Sequence, residues 1–480
     1  MVNKRRPLFR GKQTVDGISE IARLVHISIR KAGVPSSDMD DFIDWTINSL
    51  WTTFKEERMN RRAIIEEKMR SLHLSLPNGT VNKAYHVEFN LPVDEISKVS
   101  LVGATEIGLS FTIDDDGKCI LTGIPLSIGD FILRLRYNTV KGEPESELSL
   151  PIAFNPDPRS LWKDIPTDMD IRYFKPDNVC QLIKVRTQDT EATKKDIIAA
   201  SHRGRSHAQE GKPRDDNFGI FHCDESDWYI MAVADGAGSA KYSREGSRIA
   251  CDTAIDHCKS LLIENSDFEN AVIEYEAERD NKQKRTELTR RVIDIIYNGA
   301  VKAHGAIKKF ADSEEDANFK DYATTLMFAI CKKFDFGWFI ASFWVGDGAI
   351  CLLDTTGKTA KLLGTPDEGE FSGQTRFLTM QDIFRDPEVV AKRLRMAIVP
   401  DFTALFLMTD GVSDPMFETE KNLNSYDKWV EFYDKLQYGF PEDNIAGVNL
   451  ESNDAEKQLL RWLDFWSPGN HDDRTIVILH

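Results

Sequence analysis

The stretch YIMAVADGAGSAKYSREGSR, residues 229–248, decides how the second half of this chain is read. Tyr229 to Ala234 is an apolar run of strand length, too short for a buried helix. It delivers Asp235 at its tip, and then only small residues follow: Gly236, Ala237, Gly238, Ser239 and Ala240. A carboxylate that must sit at one fixed point is best carried by a rigid strand. A glycine directly after it lets other atoms approach the backbone closely. Ser243 is the expected N-cap of the helix that starts there.

The same pattern recurs through residues 191–480. FWVGD ends in Asp347, FLMTD ends in Asp410, Asp472 and Asp473 stand just before the run RTIVILH, and Asp215–Asp216 precede NFGIF. A single strand-end aspartate is commonly a turn former or a helix cap. Several meeting in one buried place would repel one another and resist ionisation. They stay ionised only if cations neutralise them, and hard oxygen ligands favour Mg²⁺ or Mn²⁺.

Composition frames this reading. With 480 residues, two or three domains are expected. A net charge of −17 opposes non-specific binding to nucleic acid or to an anionic membrane. The seven cysteines form no CxxC pair, so a reducing compartment is expected. The basic start MVNKRRPLFRGKQ has no apolar run behind it and is not a secretory signal. No apolar stretch of about 18 residues occurs, so a cytoplasmic protein without membrane spans is expected.

Three regions precede the acidic strands. Residues 1–72 read as a helical region: Met39, Phe42, Ile43, Ile47, Leu50, Trp51 and Phe54 recur at helical spacing. In residues 73–155 the period becomes two, with Val87, Phe89 and Leu91 on one face, then Phe131, Leu133, Leu135 and Tyr137. Asp116–Gly117 signals a hairpin turn. IDDDGK lacks the spaced ligands and distal Glu of a calcium loop. The segment ILTGIPLSIGDFILRLRYNTVKGE resembles the end of an immunoglobulin-like or cadherin-like β-sandwich module. Residues 156–190, rich in Pro and Asp, read as a linker. In 191–480, strands are expected at FGIFHC, WYIMAVAD, TLMFAICK, GWFIASFWVGD, AICLLD, TALFLMTD and RTIVILH. Helices are expected over 243–263, 285–311, 425–437 and 454–465. The segment 412–465 reads as a flap over the site.

The order of these segments resembles the metal-dependent serine/threonine protein phosphatases of the PPM family, the type two-C class. The likeness runs from about residue 196 to the end. AASHRGRSHAQEGKPRDDNFGI, VADGAGSAKYSREGSRIA, DYATTLMFAI, FWVGDGAICLL, LFLMTDGVSD and DDRT follow in the family's order. GEFSGQTRFLT resembles a segment of the bacterial branch. The resemblance implies an α+β fold: a four-layer α/β-sandwich phosphatase domain, with helices flanking two antiparallel sheets. It implies hydrolysis of phosphoserine and phosphothreonine in a protein substrate by a water activated between two Mg²⁺ or Mn²⁺ ions. Carried over by position, Asp235 would bridge the ions, and the Gly236 carbonyl and Asp216 would complete one site. Asp410 and Asp472 would hold the other, and Asp347 would help hold a third ion or serve a structural role.

Two departures stand out. Where many relatives place a phosphate-binding arginine, this chain has Gly211; Arg205 or His207 would replace it, as would Arg203 or Arg214. Animal relatives carry a histidine after the Asp–Gly pair, and this chain has Ala237; His207 or metal-bound water would then act as general acid. The front regions are expected to recruit a partner, a cognate kinase among the candidates. The alternatives are a pseudophosphatase scaffold that binds phosphoproteins, and a two-metal nuclease or nucleotide hydrolase. The acidic surface argues against nucleic acid.

Overall fold

The computed structural model describes residues 37–480 apart from 140–143, 188–192, 264–265, 367–374 and 386, together with residues 23, 27, 31, 33 and 35. The chain divides into two compact units, Met1–Leu161 and Trp162–His480. The helical region expected before residue 37, and most of GEFSGQTRFLT, lie outside the described residues.

In the first unit a long helix, Met39–Ser71, precedes two sheets. The four-stranded sheet runs Gly79–Thr80, Ser146–Asn155, Gly129–Asn138, Ser97–Val102. The three-stranded sheet runs Tyr85–Asn90, Lys118–Gly123, Leu109–Ile113. The period of two is why one core can join them: Leu133, Leu135, Leu150 and Phe154 pack with Leu109 and Leu121, and with Ile65 and Met69 of the helix. The IDDDGK turn closes a hairpin. Asp114 Oδ1 accepts from Lys118 N–H at 2.8 Å and from Asp116 N–H at 3.1 Å. Gly117 has φ +84°, and a Cβ there would lie 2.2 Å from the Leu91 carbonyl oxygen, so glycine is required.

Eleven strands build the two sheets of the second unit: β1 Asn178–Ile183, β2 Ile197–His202, β3 Asn217–His222, β4 Tyr229–Ala234, β5 Leu326–Phe334, β6 Gly337–Val345, β7 Ala349–Asp354, β8 Thr359–Gly364, β9 Leu394–Val399, β10 Ala404–Met408 and β11 Arg474–Leu479. One sheet runs β3-β4-β5-β6-β9 and the other β8-β7-β10-β11-β2-β1. Every pairing in both is antiparallel.

Alternation along these strands sorts their side chains to two faces. Met231, Val233, Met327 and Ile340 share one cluster with Ile350, Leu405, Leu407 and Val477, joining the two sheets. The alternate residues Ile230, Ala232, Phe328 and Phe339 pack with Ile249 and Ala254 of helix Ser243–Leu262 and with Ile296 and Ala300. Ile198, Cys351, Phe406 and Ile478 pack with Trp429, Phe432, Leu459 and Trp462.

The structure corrects four readings. The stretch 156–190 is not a bare linker, because it supplies edge strand β1 and all but its first residues belong to the second unit. The segment 412–465 is not a flap; Val412, Phe417, Trp429, Phe432 and Trp462 build core against the six-stranded sheet. The helix expected over 285–311 is interrupted by a π turn at Ile293–Tyr297, which joins Lys282–Val292 to Asn298–Asp312. Ser243 is the first helical residue rather than the cap, and its hydroxyl donates to the Ala240 carbonyl at 3.3 Å.

Phe406 carries much of the core against the six-stranded sheet, with ring centroids 5.3 Å from Phe432 and 5.9 Å from Trp429. Phe406→Ala is expected to lower the unfolding free energy by about 3–5 kcal/mol. Urea unfolding checks this as a lower midpoint at unchanged slope.

Candidate active site

Asp235 follows β4, and its backbone is held on both sides. Its N–H donates to Thr325 Oγ1, while its carbonyl accepts from Thr325 N–H and from the Thr324 hydroxyl, each at 2.8 Å. The small residues after it have a visible cause. A Cβ on Gly236 would lie 2.8 Å from the Asp215 carbonyl oxygen and 2.9 Å from the Ser243 carbonyl carbon. The glycine thus lets three chain segments meet at one point.

The other acids arrive from separate strand ends. Asp347 follows β6 through Gly346, whose φ of +127° disfavours a side chain. Asp347 Oδ2 accepts from the Thr375 hydroxyl. Asp410 opens helix Asp410–Phe417 directly after β10. Asp216 precedes β3, and its Oδ2 accepts from the Thr409 hydroxyl at 2.9 Å. Thr409 is itself tied to the last strand: its N–H donates to the Thr475 carbonyl at 3.0 Å, and its oxygen accepts from Thr475 N–H at 3.1 Å.

One carboxylate oxygen each from Asp235, Asp347 and Asp410 lies within 4.8 Å of the other two. Ligand atoms of His207, Asp472 and Asp473 form a second such group. Burial and then the charge of Asp410, Asp216 and Asp472 hold Asp235 well above the carboxylate range. Burial, then Asp347 and Asp472, do the same to Asp410. Asp216 is pushed up to about 7 by burial and by Asp473. Asp472, exposed at the rim of the cluster, is raised by the partial desolvation of its carboxylate and by Asp473. These are acids whose charge is opposed by their surroundings.

The donor set fits a divalent ion. Asp216 Oδ1, Asp347 Oδ1 and Asp410 Oδ1 are buried and have no hydrogen-bond partner among the described residues. Buried anionic oxygens without donors are what a hard cation takes up. Asp235, Asp347 and Asp410 therefore come together. Asp216 and Asp472 are coupled to them by charge, with Asp472 nearest to His207 and Asp473.

Asp473 does a different job. Its Oδ1 accepts from Gly204 N–H at 2.6 Å and lies 3.0 Å from His207 Nδ1; its Oδ2 accepts from Asp215 N–H at 2.6 Å and Asp216 N–H at 3.4 Å. Burial alone would raise its pKa, but the His207 charge and these donors lower it to about 2. Burial would depress His207, yet Asp473 and Asp215 raise it to about 9. His207 Nε2 lies 3.5 Å from Asp215 Oδ2, and Arg244 donates to Asp215 Oδ1 at 3.1 Å. Both ring nitrogens of His207 thus face carboxylates.

The basic candidates are placed as follows. Arg205 donates to Asp464 Oδ1 at 2.5 Å and to the Asp464 carbonyl at 2.9 Å. Arg203 pairs with Asp164 and Asp177. Arg214 is buried and donates to the Asp216 carbonyl at 2.8 Å. Two residues escaped the sequence reading, and a third, Asp473, was noted without a role of its own. Asp414 stands one helical turn after Asp410 and is pushed up to about 6 by burial and Asp347; its signal was the i, i+4 pair in DGVSD. Asp473 was visible only as a neighbour of Asp472. Lys175 gave no signal. It is buried, donates to the Asp215 and Asp216 carbonyls at 3.3 and 3.0 Å and to Ser247 Oγ at 2.8 Å, and is pulled down to about 7 by burial and Arg214.

The sequence model of the protein phosphatase 2C family matches residues 203–464, more than half of the 480-residue chain. The chain belongs to that family of phosphoprotein phosphatases. Among solved structures it is similar to the serine/threonine phosphatase Stp1 from Staphylococcus aureus, with 15% identity, 62% of this chain and 98% of that one covered, and a TM-score of 0.34. It is also similar to a serine-threonine phosphatase 2C from Toxoplasma gondii, with 14% identity, 64% and 99% covered, and a TM-score of 0.39. RsbX, solved in complex with magnesium, is 12% identical over 63% of this chain and 98% of that one, with a TM-score of 0.31. These likenesses are too distant to add to the family match. No curated protein matches the chain significantly. Among the described residues no helix is long and apolar enough to cross a membrane.

Asp473→Ala strands three backbone N–H groups and the His207 cation, and is expected to cost about 3–5 kcal/mol of stability in urea at pH 7. The pH dependence has a definite sign. The His207 pKa is raised from 6.5 to about 9, so its contribution is complete below pH 6.5 and is lost as pH rises through 9. The stability gap between wild type and His207→Gln should therefore narrow over that window, as denaturation at a series of pH values will read.

Proposed function

We propose that the second unit is a divalent-cation-dependent protein phosphatase acting on phosphoserine and phosphothreonine. The observation that carries this reading is the set of buried carboxylate oxygens on Asp216, Asp347 and Asp410 that have no donor among the described residues, with Asp347 and Asp410 converging with Asp235 from separate strand ends. Asp235, Asp216, Asp410 and Asp472, with the Gly236 carbonyl, would hold two Mg²⁺ or Mn²⁺ ions, and Asp347 with Asp414 a third. When bound, such ions acidify water for attack on phosphorus and draw charge from the phosphoryl oxygens.

The remaining roles belong to the chain. Thr409 orients Asp216, and Asp473 fixes the backbone of Asp215 and Asp216. His207, engaged by Asp473 and Asp215, positions that turn; as general acid it would first have to leave one of them. Arg205 is the basic side chain best able to turn to a substrate phosphate, because it is only partly buried and its partner Asp464 is exposed, which weakens the ion pair. The three apolar clusters of this unit support the four-layer sandwich. The first unit, with its two sheets over one core, is read as an immunoglobulin-like recruiting module. The chain is read as a cytoplasmic enzyme of the bacterial branch that acts on a phosphoprotein and opposes a cognate kinase; the segment order and Ala237, where animal relatives carry histidine, support the branch.

Full-length protein should hydrolyse a phosphothreonine peptide with Mn²⁺ and lose that activity on chelation. Asp235→Asn should lower the rate by at least about 100-fold. A panel with nucleotides and oligonucleotides tests the substrate class. Manganese uptake without hydrolysis of any phosphopeptide would favour the scaffold reading, and unchanged activity in Asp235→Asn would refute the assignment.

A further inference from the structure

Helix Met39–Ser71 buries Met39 at its start and Ile65 and Met69 toward its end, and carries an exposed apolar stretch between them. Ile65 and Met69 enter the core of the first unit, while Ile47, Leu50, Trp51 and Phe54 stay 49%, 66%, 54% and 47% exposed. Asp44, Ile47, Trp51, Phe54, Arg58, Arg61 and Ile65 follow one another at alternating steps of three and four residues. That is the spacing of a single seam along a paired helix. Apolar groups fill its middle, acid stands at its front, and basic residues stand toward its back. Asp44 and Arg61 are exposed and have no ion-pair partner among the described residues.

A seam with this polarity complements itself when reversed. In a parallel pair, Asp44 would face Asp44 and Arg61 would face Arg61, which is repulsive. In an antiparallel pair, Asp44 meets Arg61 at each end, and Trp51 of each helix meets Phe54 of the other at the centre. Trp51 and Phe54 already stack within one helix, with ring centroids 5.8 Å apart, so the apolar patch is formed in advance. The contact is isologous and closes with two copies. We propose that residues 44–61 form an antiparallel helical interface with a second copy of this chain, making the protein a two-fold dimer.

Sedimentation velocity on the full-length protein across micromolar concentrations tests this. The expected species has twice the 54.6 kDa chain mass. Trp51→Glu with Phe54→Glu, at exposed positions, should give a monomer with unchanged circular dichroism. Asp44→Arg alone and Arg61→Asp alone should each weaken the dimer at least tenfold, and the two together should restore it to within threefold. A wild-type monomer, a dimer indifferent to the Trp51 and Phe54 changes, or a double charge swap that fails to recover association would each overturn the proposal. The charge swap keeps the test decisive if the aromatic variant misfolds.

Discussion

Mutual repulsion among clustered carboxylates, from buried Asp216 through half-buried Asp235 and Asp410 to exposed Asp472, is the constraint on which the rest of the second unit depends. Desolvation opposes ionisation of all four; Asp410, Asp216 and Asp472 further oppose that of Asp235, Asp472 and Asp216 that of Asp410, and Asp472 that of Asp216. No flexible loop would keep such groups together. The fold does so by ending strands of two different sheets at one place and pinning each end with backbone hydrogen bonds. Thr325 clamps Asp235, and Thr409 ties Asp216 to the last strand. The apolar clusters between and outside the sheets supply the rigidity against which the repulsion is held.

Asp473 shows how the same chemistry serves a second purpose. It sits beside Asp472 in sequence, yet its pKa moves the opposite way, to about 2, because donors and a cation surround it. Neighbouring aspartates thus divide the work: Asp472 is exposed and its Oδ1 accepts from the Asp473 N–H at 2.8 Å, while Asp473 is buried among donors and fixes the turn that carries Asp216. The sign of each shift follows from partners contributed by Gly204, His207 and Asp215.

The strongly apolar strands, β4, β5, β6, β7, β10 and β11, were legible in sequence because their runs are bounded by acids or glycine. The convergence of Asp235, Asp347 and Asp410 was legible through the same punctuation. What was not legible depended on partners distant in the chain. β1, β8 and β9 read as unremarkable segments, since nothing local tells an edge strand which neighbour it has. The helices after Asp410 looked like a cover because their amphipathic faces do not say which side of the sheet receives them. Arg205 drew attention by its place in a loop, but Asp464 decides where its guanidinium points.

The strand contributed by residues 178–183 has a practical meaning for anyone isolating the catalytic part. Cutting the gene at residue 191 would strip β2 of its outer neighbour and expose a bare row of amides and carbonyls, an invitation to aggregate. It would also delete Lys175, leaving the Asp215 and Asp216 carbonyls without their buried ammonium. An excision that begins at Trp162 keeps both, because that is where the compact body starts.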